Sequence, residues 1–494
     1  MQQPKSLASN SIKVFISTVS SSIFNFFRII VIAKFLGPTA YGFWNLLLVI
    51  YSYGNYSHLG LLDGMNKKMP YLNGRNELAA SDQVKNVSFW LVMIISTTVA
   101  VILALGVLIW GERLSPDFSL AFMLVGVLIV ITQIYVTLTS LLRTDKRFGV
   151  LSWAVIIVNI SSFIFIFYFL SLKNSLTLAV TGLILANALA SVYIIIKAKY
   201  RFPLVWRWPV AKELFRVGLP LILIQAIYGV YISIDRWMIA GYLDSTSLGL
   251  YGLGATISTF MFGAFSVLAY TIYPYLLEKF GQKDDITAAK ALLLKANYSL
   301  ALIMSMLFPI ILISLPLMLR YILPEYIQAL NVIFTLILSV YFIALMSING
   351  NYLISINKQR IMLGAQIVMV LFSFGACLLA LRLDLGIIGI AAATLISYSI
   401  YSTLIIFFSL KFLFSSGQTA VKHILRLYSP YMVSILFTAF LMRGVVLTHN
   451  LFADIKTTLI NILIFGVWGV VLLILLHKTI NLRQVVKNLL PHKS

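Results

Sequence analysis

Arg28 follows Ser17, Ser21 and Asn25 at spacings of three, seven and eleven residues counted back along the chain, so all four side chains share one face of a helix. Hydroxyl and amide groups ending in a guanidinium are equipped for binding. The guanidinium matches phosphate geometry and keeps its charge when desolvated, so this face suits an anionic headgroup. Gln225, Tyr228, Tyr231 and Asp235 form a comparable face, with Arg236 directly after the acid. An unpaired charge in apolar sequence costs several kcal/mol or more, so Arg28, Asp235 and Arg236 each need a partner or a polar cavity.

The candidate binding residues are therefore Arg28, Asn25, Lys34, Arg236 and Asn55, with Asp235 tuning the site or binding a coupling cation. The alternative is that Arg28 and Asp235 pair with each other and hold two halves of the chain together. Lys34 also suits a simple snorkelling role near a helix end. His58 and Asp63 lie toward the inner end of the second apolar segment, after Asn45 and Ser52, and His58 is better explained as a satisfied polar residue than as a proton relay. The tenth segment adds Asn349, Tyr352 and Ser355.

The elements that carry these residues are membrane helices. The 494 residues are 61% hydrophobic and 11% charged, with a mean hydropathy of +0.97, which no ordinary soluble domain approaches. About fourteen apolar segments reach the roughly 20 residues that cross a bilayer. They begin near Ile12, Tyr41, Val87, Phe118, Gly149, Ser175, Phe215, Leu248, Ala296, Gln328, Ile361, Gly386, Leu427 and Ile455. The fold expected is an all-α integral membrane protein with two six-helix lobes, residues 1–200 and 201–410, followed by two further helices and a basic tail in 411–494.

An internal repeat supports the two lobes. Ile32, Ala33, Leu36, Thr39 and Gly42 recur as Ile239, Ala240, Leu243, Thr246 and Gly249, all at an offset of 207 residues. That offset places Arg28 on Asp235. A second echo sets Leu141–Lys146 (LLRTDK) against Leu353–Lys358 (LISINK). Halves in the same orientation imply an axis along the membrane normal with a binding site between them. Pro220, Pro274, Pro309 and Pro316 within spans supply bends compatible with alternating access.

The net charge of +22 reflects topology rather than nucleic acid. Of the 37 Lys and Arg residues, 28 fall at the amino terminus, after even-numbered spans or in the carboxyl tail, so both termini are expected in the cytoplasm. The longest inner connection, from Lys197, alternates basic residues with Phe202, Trp206 and Trp208, as suits the headgroup region. The first residues show no signal-peptide cleavage site.

Enzyme readings find little support. The chain has no HExxH, GxSxG or GxxxxGK[ST] motif. Asp284 and Asp285 sit in a lysine-rich connection, five scattered histidines give no metal site, and the single Cys377 permits no intramolecular disulfide.

The segments RIIVIAKFLGPTAYGFWNL from Arg28, GLLDGMNKKMP from Gly60, FRVGLPLIL from Phe215 and DRWMIAGYLDSTSLGLYGLGATI from Asp235 carry a family likeness. They resemble the Wzx-like polysaccharide and O-antigen flippases of the multidrug/oligosaccharidyl-lipid/polysaccharide superfamily. The resemblance implies a central cationic cavity and translocation of undecaprenyl-diphosphate-linked oligosaccharides across the bacterial cytoplasmic membrane by alternating access. It implies no cofactor and no ATP site. Membrane lipids, a polysaccharide polymerase and chain-length proteins are the partners it suggests. The first-span arginine of the family matches Arg28 and the seventh-span acid matches Asp235, whereas the eleventh span, LGAQIVMVLFSFGACLL from Leu363, lacks the acids of relatives. Two other readings stay open: an organic-cation antiporter of the same superfamily, which needs cavity acids, and a membrane polymerase or acyltransferase.

Overall fold

The computed structural model describes residues 4–111, 114–281, 286–356, 358–414, 416–443, 448 and 450–479. Side chains are described for 21–109, 111, 114–265, 290–356, 358–414, 416–443, 448, 450–472 and 474. Ser17, Pro274, Asp284 and Asp285 have side chains outside these ranges, as does most of the carboxyl tail.

Among the described residues the secondary structure is helical. The α-helices are α1 (Pro4–Gly54), α2 (Leu61–Gly74), α3 (Leu78–Trp110), α4 (Pro116–Thr144), α5 (Phe148–Leu172), α6 (Leu176–Ala198) and α7 (Trp208–Tyr231). They continue with α8 (Ile234–Tyr242), α9 (Ser245–Gly281), α10 (Ile286–Ile322), α11 (Leu330–Ser355) and α12 (Gln359–Arg382). The last are α13 (Gly386–Phe414), α14 (Gly417–Met442) and α15 (Leu451–Thr479). Thirteen are long and apolar enough to cross a membrane, the exceptions being the short α2 and α8. The chain is a multi-pass membrane protein.

The thirteen helices and the fourteen expected spans describe the same path. The first two spans are both in α1, which breaks at Gly37, where φ is +67° and ψ 171°. A positive φ suits a residue without Cβ, and Pro38 then starts the second limb.

The seventh span differs from expectation. Rather than one continuous helix through Asp235, it is α7 and α8 separated at Ile232 and Ser233. Side chains satisfy the carbonyls that the break frees. Ser233 Oγ donates to Gly229 O at 2.8 Å, and Arg236 Nη2 donates to Ile232 O at 2.7 Å. In hydrocarbon such substitution is required, because no water is present to take the missing bonds.

Contacts divide the chain into two compact units, Met1–Gly252 and Leu253–Ser494. In the first unit, α5 and α6 pack together and α1 lies along α5, with α3 and α6 against α4. Leu61, Met65, Leu72, Val84, Leu91, Leu141 and Leu214 form one of its cores. The connection after α6 is fixed to α3 and α4: Phe202 stacks on Phe89 at 3.9 Å, Trp90 Nε1 donates to Phe202 O, and Tyr200 Oη donates to Asp145. Burial and the Asp145 carboxylate push the Tyr200 phenol far above its ordinary value. Trp206 and Trp208 stay exposed. In the second unit, α11 packs on α13 and α10 on α14, around the face-to-face rings of Tyr341 and Tyr431, 3.8 Å apart.

The repeat is visible as contact within the first unit. Thr39 Oγ1 and Thr246 Oγ1, equivalent at the 207-residue offset, hydrogen-bond at 2.8 Å. A Cβ on Gly42 would lie 1.9 Å from the carbonyl oxygen of Ser245, and one on Gly249 would lie 1.7 Å from that of Pro38. Ser245 and Pro38 are themselves equivalent positions, so the contact is reciprocal, as a two-fold relation requires. The second echo falls at two helix ends, since α4 stops at Thr144 and α11 at Ser355.

Candidate functional site

Arg28 is positioned by an aromatic seam between α1 and α5. Phe24 and Phe27 meet Phe163 at 5.9 and 6.4 Å, and Phe35 meets Phe167 at 6.0 Å. This register sets the guanidinium against Ser162, to which Nη1 donates at 2.8 Å, while Nη2 donates to Asn25 Oδ1 one turn back. Both acceptors are neutral. Among the described residues no carboxylate forms an ion pair with Arg28.

A second layer of polar groups extends the site. Tyr51, on the second limb of α1, is within electrostatic reach of Arg28 and donates to Thr132 Oγ1 on α4 at 3.2 Å, and the Asn55 side chain also bonds to it. Gln133 Nε2 donates to the Asn55 carbonyl at 2.9 Å and so ties α4 to the end of α1. Three of the expected residues, Asn25, Arg28 and Asn55, thus belong to one cluster. Tyr51, Thr132, Gln133 and Ser162 were not among them, because their spacing in sequence gives no sign of the long-range contact.

Asp235 belongs elsewhere. It lies in the first turn of α8, where a negative charge is favoured by the helix dipole, and is buried. Its Oδ2 accepts from Tyr251 Oη at 2.6 Å, and its Oδ1 accepts from Arg236 N at 2.7 Å with Arg236 Nε at 3.6 Å. The acid is therefore matched by its own neighbour, and no ion pair joins it to Arg28. Arg236 is correspondingly engaged by Asp235 and Ile232. Tyr53 holds the start of α8 to α1: its hydroxyl bonds Ser233 Oγ at 2.6 Å and accepts from Trp237 Nε1 at 3.2 Å, with the two rings stacked at 6.3 Å.

The remaining candidates are dispersed. Lys34 is exposed. His58 Nδ1 accepts from Gly60 N at 3.1 Å. Burial pushes the Asp63 carboxyl above its usual range, while nearby His58 and Gln225 act the other way. Asn349 is fully buried and donates to Asn297 Oδ1 at 2.7 Å, which makes it part of the packing of the second unit. Among the described residues no group of three or more His, Cys, Asp or Glu could hold a metal ion.

The fold has counterparts in known proteins. The family described as polysaccharide biosynthesis protein matches residues 75–280. No curated protein matches. Among solved structures, the lipid II flippase MurJ in an inward closed conformation is similar with a TM-score of 0.69 at 15% identity, covering 95% of this chain and 100% of its own. An inward-facing multidrug resistance MATE family transporter of the MOP superfamily also gives 0.69, at 12% identity, covering 82% and 99%. A MOP superfamily transporter from Pyrococcus furiosus gives 0.54 at 14% identity, over 83% and 95%. The chain therefore shares the fold of the lipid II flippase and of MOP superfamily transporters, and its residues 75–280 match the polysaccharide biosynthesis protein family.

Proposed function

We propose that the protein is a flippase that moves undecaprenyl-diphosphate-linked oligosaccharides from the inner to the outer leaflet of the bacterial cytoplasmic membrane, for surface polysaccharide assembly. The observation that carries this reading is the charge state of the Arg28 cluster. Among the described residues Arg28 bonds hydroxyl and amide groups and has no carboxylate partner, whereas the repeat-related Asp235 has its own arginine. A single uncompensated guanidinium offsets the desolvation of a diphosphate, and neutral donors beside it suit sugar hydroxyls. One such charge also permits release, which a transporter needs as much as binding. The family match and the similarity to a lipid II flippase favour a lipid-linked substrate over a soluble drug.

The mechanism follows from the substrate. The sugar-diphosphate head cannot enter hydrocarbon, so the protein shelters it while the polyprenyl tail remains in lipid. Asn25, Arg28 and Asn55 act on the head, and Lys34 and Arg236 are the secondary cationic candidates. Asp235, held by Tyr251 and Arg236, is the candidate group for ion coupling. Both termini lie in the cytoplasm in this reading.

The test is deletion of the gene followed by fractionation of lipid-linked glycans. Complete repeat units accumulating on the cytoplasmic leaflet, with loss of surface polysaccharide, establish translocation as the blocked step. Unpolymerised units reaching the outer leaflet would transfer the case to a polymerase, and normal glycans with increased drug sensitivity would transfer it to an antiporter.

A further inference from the structure

At one end of the second unit, side chains from three helices form a column. Lys290 of α10 holds its Nζ 3.9 Å from the centre of the Phe414 ring, at the end of α13. The same ring stacks on His423 of α14, whose imidazole lies 4.6 Å from Phe414 at an angle of 18°. His423 Nδ1 is in turn 2.7 Å from Tyr298 Oη, back on α10. Arg426 is three residues beyond His423, on the same face of α14, and is close enough for its charge to act on both His423 and Tyr298. The charge of Lys290 acts on His423 as well.

A lysine ammonium and an imidazole are thus held to one phenyl ring by cation–π and stacking contacts, with the Arg426 charge acting nearby. Among the described residues neither Lys290 nor Arg426 forms an ion pair. The described acids of this unit are remote from the column: Glu325 and Asp454 lie at the opposite end of α10, where Tyr321 bonds Asp454, and Asp384 precedes the start of α13. Like charges in a partly desolvated setting repel, and a cation–π contact offsets that only in part. A bound anion would offset it further. The same helix presents Val421, Leu425 and Met432 outward, 47%, 65% and 52% exposed, so an apolar surface adjoins the cationic one.

We propose that Lys290, His423 and Arg426 form a binding site for a phosphate group, supplied by the headgroup of an anionic lipid whose acyl chains lie along α14. Basic pockets between membrane helices commonly hold such headgroups. Tyr298 and Phe414 are positioning residues here: they fix the imidazole and the ammonium, and touch no ligand themselves. The site is in the second unit and does not depend on what the protein transports.

The experiment uses the full chain in nanodiscs of phosphatidylcholine with and without phosphatidylglycerol, with retained lipid counted by native mass spectrometry. The wild-type protein should retain phosphatidylglycerol in preference to phosphatidylcholine. Lys290→Gln and Arg426→Gln should each weaken that preference about fivefold, and the pair about thirtyfold, as the attraction of one Lys or Arg to an anionic surface implies. Phe414→Leu keeps every charge and should also lower retention, whereas Lys85→Gln, which removes a cation paired with Asp82, should not. Inorganic phosphate distinguishes the two sources of the group: retention that survives excess phosphate assigns the site to lipid, and displacement by phosphate alone shows that the phosphate group suffices without the chains. Unchanged retention of both probes in the double variant would overturn the site. Should that variant fail to fold, Arg426→Gln and Phe414→Leu carry the same test separately.

Discussion

Gly249→Ala places a methyl group where the structure has no room for one. The added Cβ would lie 1.7 Å from the Pro38 carbonyl oxygen, whereas ordinary contact begins near 3.4 Å. The obstacle is backbone, not the end of a flexible side chain, so the two segments must separate by about 1.7 Å. Overpacking of this kind typically costs about 1–3 kcal/mol, and the Thr39–Thr246 hydrogen bond, worth about 0.5–1.5 kcal/mol, is lost with it. The expected penalty on the closed crossing is thus about 2–4 kcal/mol, or some thirtyfold to several-hundredfold in its population. Cross-linking reads this directly. In a Cys377→Ser background, Thr39→Cys with Thr246→Cys should form a disulfide readily, because the two side-chain oxygens already sit 2.8 Å apart. Adding Gly249→Ala should slow that cross-link, and Gly42→Ala, whose Cβ meets the Ser245 oxygen at 1.9 Å, should do the same. Equal cross-linking rates with and without the alanines would refute the reasoning, since the crossing would then tolerate the methyl group.

Arg28→Ala should abolish surface polysaccharide at normal protein levels, as measured by glycan export and immunoblotting, and the swap of Arg28→Asp with Asp235→Arg should fail to restore it, because the two side chains have different partners. Tyr251→Phe removes the donor to a buried carboxylate oxygen and should lower stability by about 1–3 kcal/mol, seen as a lower Tm in detergent. Asp63→Asn should alter the pH dependence of Tm. A carboxyl whose folded pKa is raised binds its proton more readily when folded, so wild-type stability falls as pH rises from the ordinary carboxylate value through the raised one. The variant should lack that decline, and an identical profile would show that Asp63 makes no contribution.

The spans were legible because about twenty consecutive apolar residues have few alternatives in water or lipid, whereas the left-handed break at Gly37 between the first two emerged only in the structure. The repeat was legible at Thr39, Gly42, Thr246 and Gly249, since residues that meet across a two-fold relation are constrained on both sides. The break in the seventh span was not. Ser233 and Arg236 replace the freed backbone bonds through side chains, and that depends on three-dimensional reach rather than composition. The partners of Arg28 were half legible: Asn25 is one turn away, but Ser162 is 134 residues distant and meets it only through the aromatic seam of α1 and α5. Sequence spacing left pairing of Arg28 with Asp235 open, and the structure instead shows Asp235 engaged by Arg236 and Tyr251.

The reciprocal crossing at Gly42 and Gly249 has the form of a homodimer interface, with each segment offering the other the same surface. Two copies of a half-length chain could build such a crossing, yet they would be obliged to carry the same residue at both equivalent positions. A single chain escapes that rule. It can keep glycine in both places where the crossing demands it, and still put arginine at position 28 and aspartate at 235, where the offset makes them counterparts. Joining the copies therefore preserves the symmetry of the scaffold while releasing its chemistry from it.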